Sequence, residues 1–139
     1  MRIVITGGPR TGKTTLSEQL HQHGISSVDG NGGHLNVQVR HTDDLIEHLH
    51  WSQVSEPIAL EWLPQPGPWI CEGVAMSRAL RKWRDAHPGE PPPVDRVIYL
   101  REPHEEPTPG QRTMAKGVDT VHREIEPWLE EHNIMTEYR

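Results

Sequence analysis

Six residues into the chain, the run GGPRTGKTT (7–15) follows the apolar stretch RIVIT (2–6). Its fixed positions, Gly7-x-x-x-x-Gly12-Lys13-Thr14, constrain the fold more than any other feature: a buried strand must lead into a tight loop, and a helix must start directly behind it. Glycines at 7, 8 and 12 let the backbone curl so that several N–H groups converge on one point, a nest for anionic oxygens. A helix beginning near Lys13 adds the positive end of its dipole. Lys13 is expected to reach the β- and γ-phosphates of a nucleoside triphosphate, and the Thr14 hydroxyl to hold Mg²⁺. Gly7, Gly8, Pro9, Arg10, Thr11, Gly12, Lys13, Thr14 and Thr15 are the candidate nucleotide-binding residues.

The rest of the chain alternates strand-like and helix-like segments. KTTLSEQLHQH (13–23) reads as a helix stopped by Gly24, and SSVDGNGGH (26–34) as turns. LNVQVRH (35–41) alternates strictly and predicts a second strand. Residues 43–63 read as helix in two pieces, with Val54, Ile58 and Trp62 at helical spacing and a boundary or kink near Pro57. WICEG (69–73) is a third strand, and MSRALRKWRDAH (76–87) a helix with Leu80 and Trp83 inward. VDRVIYL (94–100) is a fourth strand. Thr108 and Pro109 offer a cap and a first-turn proline to a helix whose inner stripe is Met114, Val118, Val121, Ile125 and Leu129; Pro127 is awkward within it. NIMTEYR (133–139) is a candidate last strand. This order predicts one α/β domain over 1–139: a minimal three-layer α/β/α sandwich around a short, mostly parallel sheet of about five strands, of the P-loop NTPase type. Ligands of such sheets bind at the carboxyl ends of the strands.

Polar motifs fall at those ends. HTDD (41–44) follows the second strand, and Asp43 and Asp44 can ligate Mg²⁺ or take a proton from an attacking hydroxyl. The same residues also suit a plain helix start, with Thr42 as cap and both carboxylates facing the dipole. Glu72 in CEG (71–73) is an outer Mg²⁺ group or a substrate acceptor, or else a solvated strand-end carboxylate; Gly73 behind it allows close approach. The candidate metal residues are thus Thr14, Asp43 and Glu72. Arg112 and Lys116 share a helical face and could clamp a phosphoryl group, or form a solvated basic face. Arg10, Arg78 and Arg101 are further cations near strand ends. The candidate catalytic residues are Lys13, Asp43, Asp44, Arg112 and Lys116.

Net charge, −6 with histidines neutral, argues against a general nucleic-acid binder. Ten histidines and one cysteine make no close Cys/His cluster, so structural zinc is not expected. Cys71, the single cysteine, excludes an internal disulfide. MRIVITGG has the charge and apolar start of an export signal but only four apolar residues, and no run is long enough to span a membrane. The expectation is a cytoplasmic protein, in the host cytoplasm if phage-encoded. Trp62 and Trp128 read as core; Trp51, beside the acidic segment, is the one tryptophan considered for a substrate pocket.

GGPRTGKTT, HTDD, CEG and a basic segment after the fourth strand together resemble the P-loop kinases of nucleosides, nucleotides and other small metabolites. The resemblance implies that an acid after the second strand, Asp43 or Asp44, binds Mg²⁺ or activates the acceptor, and that residues 101–116 form a shortened lid. It also implies ATP or another nucleoside triphosphate as donor, Mg²⁺ as cofactor, and a small acceptor, most plausibly a nucleoside or nucleotide. A hydroxymethylated base in phage DNA is a less favoured acceptor on the acidic charge. An NTP-binding or hydrolysing regulator without an acceptor is the alternative class. The sequence stops at Arg139, soon after the last expected strand, so the family's purine-gripping loop is expected to be absent or rebuilt.

Overall fold

Alternation within β1 (Arg2–Gly7) divides the protein into layers. Ile3 and Ile5 form one apolar cluster with Ile70, Ile98 and Leu100, covered by Leu16 and Leu20 of α1 (Lys13–His23). Val4 points the other way and joins a second cluster with Trp69, Cys71 and Val97. Strands buried on both faces need near-continuous apolar runs, which is what β1, β3 (Trp69–Glu72) and β4 (Arg96–Leu100) carry. Burying one Ile or Leu side chain is worth roughly 2 kcal/mol. A surface ion pair such as Arg2–Asp95 adds under about 1 kcal/mol. The two clusters, not the surface charges, hold the sheet together.

A computed structural model describes residues 1–23, 37–46, 49 and 53–139. Among them, five strands form an all-parallel sheet in the order β2-β3-β1-β4-β5, with β2 at Gln38–His41 and β5 at Thr136–Tyr138. The sequence expectation of an α/β/α sandwich holds. The expected last strand is present, and Gly24, the 26–34 turns and residues 35–36 lie outside the described residues.

Over the second face lie α4 (Met76–Ala86) and the long α5 (Pro109–Glu131). Met76, Ala79, Leu80 and Trp83 of α4 meet Ile125 and Leu129 of α5 in the cluster that contains Val4. Thr108 caps α5 and Pro109 opens it, as the sequence predicts, and the helix continues through Pro127. Trp62 is buried in this cluster and Trp128 packs against it.

The 43–63 segment forms α2 (Asp43–Ile46), then α3 (Ser55–Pro57), which passes directly into a π-helical turn at Ile58–Trp62. Pro57 is the third residue of α3, where a helix has no partner for an N–H anyway, so the helix starts just before it rather than breaking there. The wider turn is closed by the Leu63 N–H donating to Ile58 O at 3.0 Å.

Parallel strands put their carboxyl ends on one edge. Two hydrogen bonds extend the ladders beyond it: Gly73 N–H donates to Ile5 O (3.1 Å) and Thr42 N–H to Glu72 O (3.0 Å). The loop after β1, the acidic turn after β2 and the glycine after β3 are therefore fixed relative to one another.

Candidate nucleotide site

Backbone angles in the loop behind β1 depart from ordinary L-residue space where the curl requires it. Gly12 has φ of 89° and Arg10 has φ of 62°. Glycine tolerates this without strain, whereas Arg10 occupies the small left-handed region open to other residues. Lys13 is 8% exposed, and its Nζ donates to Gly8 O at 2.6 Å and to Thr11 Oγ1 at 3.3 Å. Desolvation is the largest influence on this ammonium and holds its pKa below the usual lysine value; Glu72 and Asp43 pull the other way.

Thr14 and Glu72 meet across the gap between the loop and β3. The Thr14 hydroxyl donates to Glu72 Oε1 at 3.1 Å, and His41 Nδ1 lies 2.6 Å from the same oxygen. Glu72 is only 2% exposed, a buried carboxylate with two partners, so the alternative of a solvated strand-end carboxylate does not hold. His41 escaped the sequence reading. It ends an alternating strand in register with Glu72, and that register exists only once β2 and β3 pair.

Gly73 follows with φ of 147°, and a Cβ there would lie 1.7 Å from Thr42 Oγ1. Thr42 is fully buried and its hydroxyl has no hydrogen-bond partner among the described residues. The alternative reading of Thr42 as a side-chain cap on α2 does not hold: the first turn closes through Leu45 N–H to Thr42 O at 3.0 Å, while the hydroxyl is turned into the space that Gly73 leaves.

A cavity of about 360 Å³ opens over these groups, lined by residues 9–15 of the loop with Asp43, Glu72, Val74, Gln111 and Met114. Asp43 thus shares a pocket with Lys13 and Thr14, whereas Asp44 is exposed and outside the lining. Gly7 and Gly8 form the base of the loop rather than its lining. Arg112 is exposed and paired with Glu106 at 2.8 Å, and Lys116 is exposed; neither lines the cavity. Arg10 lines it and forms an ion pair with Glu105. Arg101 lies over the Tyr138 ring at 3.9 Å, and Arg78 lies against Gly117. Trp51 falls outside the described residues.

Gln111 and Met114 were absent from the site expected by sequence. Met114 was assigned to the core stripe, and one further step of three along that stripe reaches Gln111. A second cavity, about 440 Å³, lies on the other side of the loop between Leu16 and Gln19 of α1 and residues 100–104, and Thr11, Gly12 and Thr15 border both.

The donor set of a hydroxyl and two carboxylates, Thr14, Asp43 and Glu72, consists of hard oxygens and fits Mg²⁺. Among the described residues no three His, Cys, Asp or Glu side chains form a metal cluster by themselves.

A glycine-bent loop with Lys-Thr, set between the first strand and first helix of an all-parallel sheet, defines a P-loop NTPase-type fold, whose implied ligand is a nucleotide. A family model described as an AAA domain matches residues 2–61, from β1 to the π-helical turn. No curated protein matches the chain. No helix among the described residues is long and apolar enough to cross a membrane.

Proposed function

We propose that the chain transfers the γ-phosphoryl group of ATP to a hydroxyl of a small acceptor, a nucleoside or nucleotide. The observation that carries this reading is the position of the phosphate loop between two cavities, with Asp43 in only one of them. A donor base and ribose fit the side bordered by Leu16, Gln19, Leu100 and residues 102–104. The acceptor then occupies the side that holds Asp43.

Lys13 leaves Gly8 O and Thr11 for the β- and γ-phosphate oxygens, exchanging two neutral acceptors for charged ones. Thr14 and Glu72 provide oxygen ligands, direct or through water. Mg²⁺ bound there with the nucleotide would offset the charge on the transferring group. Asp43 orients the acceptor hydroxyl and takes its proton as the phosphoryl group arrives. The contact of the partly exposed His41 with buried Glu72 keeps that carboxylate facing Thr14.

Match to an AAA domain favours a second reading, in which the terminal phosphate goes to water. One assay separates the two: γ-labelled ATP with Mg²⁺, against pooled nucleosides, nucleotides and DNA containing hydroxymethylated bases, beside Asp43→Asn. Label on a nucleoside or nucleotide, lost in Asp43→Asn, is the expected result. Label on DNA alone would replace the small acceptor. Label only in free phosphate, whatever is added, would overturn transfer in favour of hydrolysis.

A further inference from the structure

Of the two α5 residues that line the cavity, Gln111 and Met114, the polar one is neutral, and its orientation is set by the helix cap. Gln111 is the third residue of α5: its backbone N–H donates to Thr108 Oγ1 at 3.2 Å, and its side-chain Oε1 accepts the Thr108 N–H at 2.9 Å. Backbone N–H groups only donate, so the atom facing Thr108 must be the carbonyl oxygen of the carboxamide. This fixes the amide without ambiguity. The oxygen serves the cap, and the two Nε2 protons are what the side chain offers the pocket.

Docking of α5 decides which residue arrives there. Ala115 packs so closely on the phosphate loop that a Cβ on Gly8 would lie 2.7 Å from the Ala115 Cβ. Val118, one turn short of Val121, is fully buried against Val74 and Tyr99, with Met114 packed on the same group. Gln111 lies four residues before Ala115 and therefore on the same face, over the loop. Arg112, the next residue, is exposed, held by Glu106 and outside the cavity lining.

We propose that Gln111 is a phosphate-binding residue: its capping-box contact aims the carboxamide N–H₂ at a terminal phosphoryl oxygen of the bound nucleoside triphosphate. This deepens the proposed function but rests only on the pocket's binding a triphosphate, whether that is transferred or hydrolysed. The site thus closes over the phosphates with a neutral donor from α5, while Arg112 stays on the surface.

Glutamate at this position is as good a cap partner as glutamine, because it too accepts the Thr108 N–H. Gln111→Glu therefore keeps the helix start and removes the donors; Gln111→Met removes the donors without adding charge. Dissociation constants for Mg·ATP and Mg·ADP are measured calorimetrically for wild type, both variants and Lys13→Ala, with melting temperatures alongside. Expected are an unchanged melting temperature for Gln111→Glu and an ATP affinity weakened about tenfold, the scale of one hydrogen bond to a charged group. Gln111→Met weakens ATP about fivefold, and both variants lose less for ADP than for ATP. If wild type binds ATP and Lys13→Ala does not, but Gln111→Met binds ATP as wild type does, the assignment of Gln111 is overturned. Equal losses for ATP and ADP would also overturn it, since they would mean a general disturbance of the loop. Failure of wild type to bind ATP at all would overturn the triphosphate pocket itself, and the inference with it.

Discussion

Replacing Lys13 by methionine should make the protein more stable and functionless at once. Lys13 is 8% exposed, and burial is the largest of the influences that hold its pKa below the usual lysine value. The folded environment, carboxylates included, therefore disfavours the charged ammonium relative to water. Methionine keeps a similar length in the same space without that charge. Nor does the change orphan the loop carbonyl, because the Thr11 hydroxyl still donates to Gly8 O at 2.9 Å. Replacing buried charge by an apolar side chain typically gains from nothing to a few kcal/mol, and a gain of about 1 kcal/mol is expected here. For a domain of this size that raises the melting temperature by about 3 °C.

Nucleotide reverses the order. At a concentration of ATP one hundred times Kd, wild type gains about 2.7 kcal/mol by mass action and Lys13→Met gains nothing. The assay is thermal melting by circular dichroism with and without Mg·ATP, and the two proteins should exchange rank. The sign with pH follows from the lowered pKa. Folded Lys13 gives up its proton before the unfolded lysine, at 10.5, so wild type gains stability as pH rises through that window and the variant's advantage shrinks. A lower melting temperature for Lys13→Met at neutral pH without nucleotide would refute the argument, as it would mean that the two Nζ hydrogen bonds outweigh desolvation.

Gly73→Ala combines a φ of 147° with a Cβ 1.7 Å from Thr42 Oγ1. It should cost about 3 kcal/mol or more in urea denaturation, with partial recovery in the double variant Thr42→Gly/Gly73→Ala; a loss under about 1 kcal/mol would contradict the geometry. Buried His122 has a pKa below the usual histidine value, chiefly by desolvation against the pull of Glu126 and Asp119. The unfolded imidazole gains its proton near 6.5 while the folded one does not, so stability falls as pH drops below that value; His122→Gln should flatten this part of the urea-midpoint profile, and an unchanged slope would count against it. The Cys71 thiol is buried and pushed up to about 12, first by desolvation, so at pH 8 it should resist a thiol reagent in the native protein and react fully in denaturant. Rapid native labelling would show that β3 opens locally.

Local chemistry made the first third of the site readable. Strand, glycine spacing and Lys-Thr lie within fifteen residues, and each requires the next. The inner stripe of α5 was equally plain, since Val118, Val121, Ile125 and Leu129 are all buried. The rotational phase of that helix over the loop was not. It depends on Ala115 meeting Gly8, a contact between residues more than a hundred apart, and a small shift in it exchanges Gln111 for Arg112. The sequence pointed to Arg112 and Lys116, which stand outside the cavity lining, and passed over Gln111, which is part of it. His122 was hidden for a related reason. Histidine reads as surface in an amphipathic pattern, yet here its ring lies between Ser77, 3.5 Å away, and Thr136, 3.1 Å away. Thr42 looked like a helix cap because Thr-Asp-Asp begins a helix well, and only the Gly73 backbone shows where its hydroxyl goes.

The central place of β1 also sets an order of assembly. β1 is made before both of its neighbours, which pair Ile5 with Glu72 and Val4 with Val97. Both pairings wait for chain that is synthesised later, at about 5–20 residues per second, and parallel partners so distant in sequence close slowly. Gly8 waits longer still, for Ala115. On a ribosome, then, the nine-residue run that looks like a finished binding site lacks its walls until β3 and α5 have emerged. ATP in the cell can reward completed folding but cannot template its beginning.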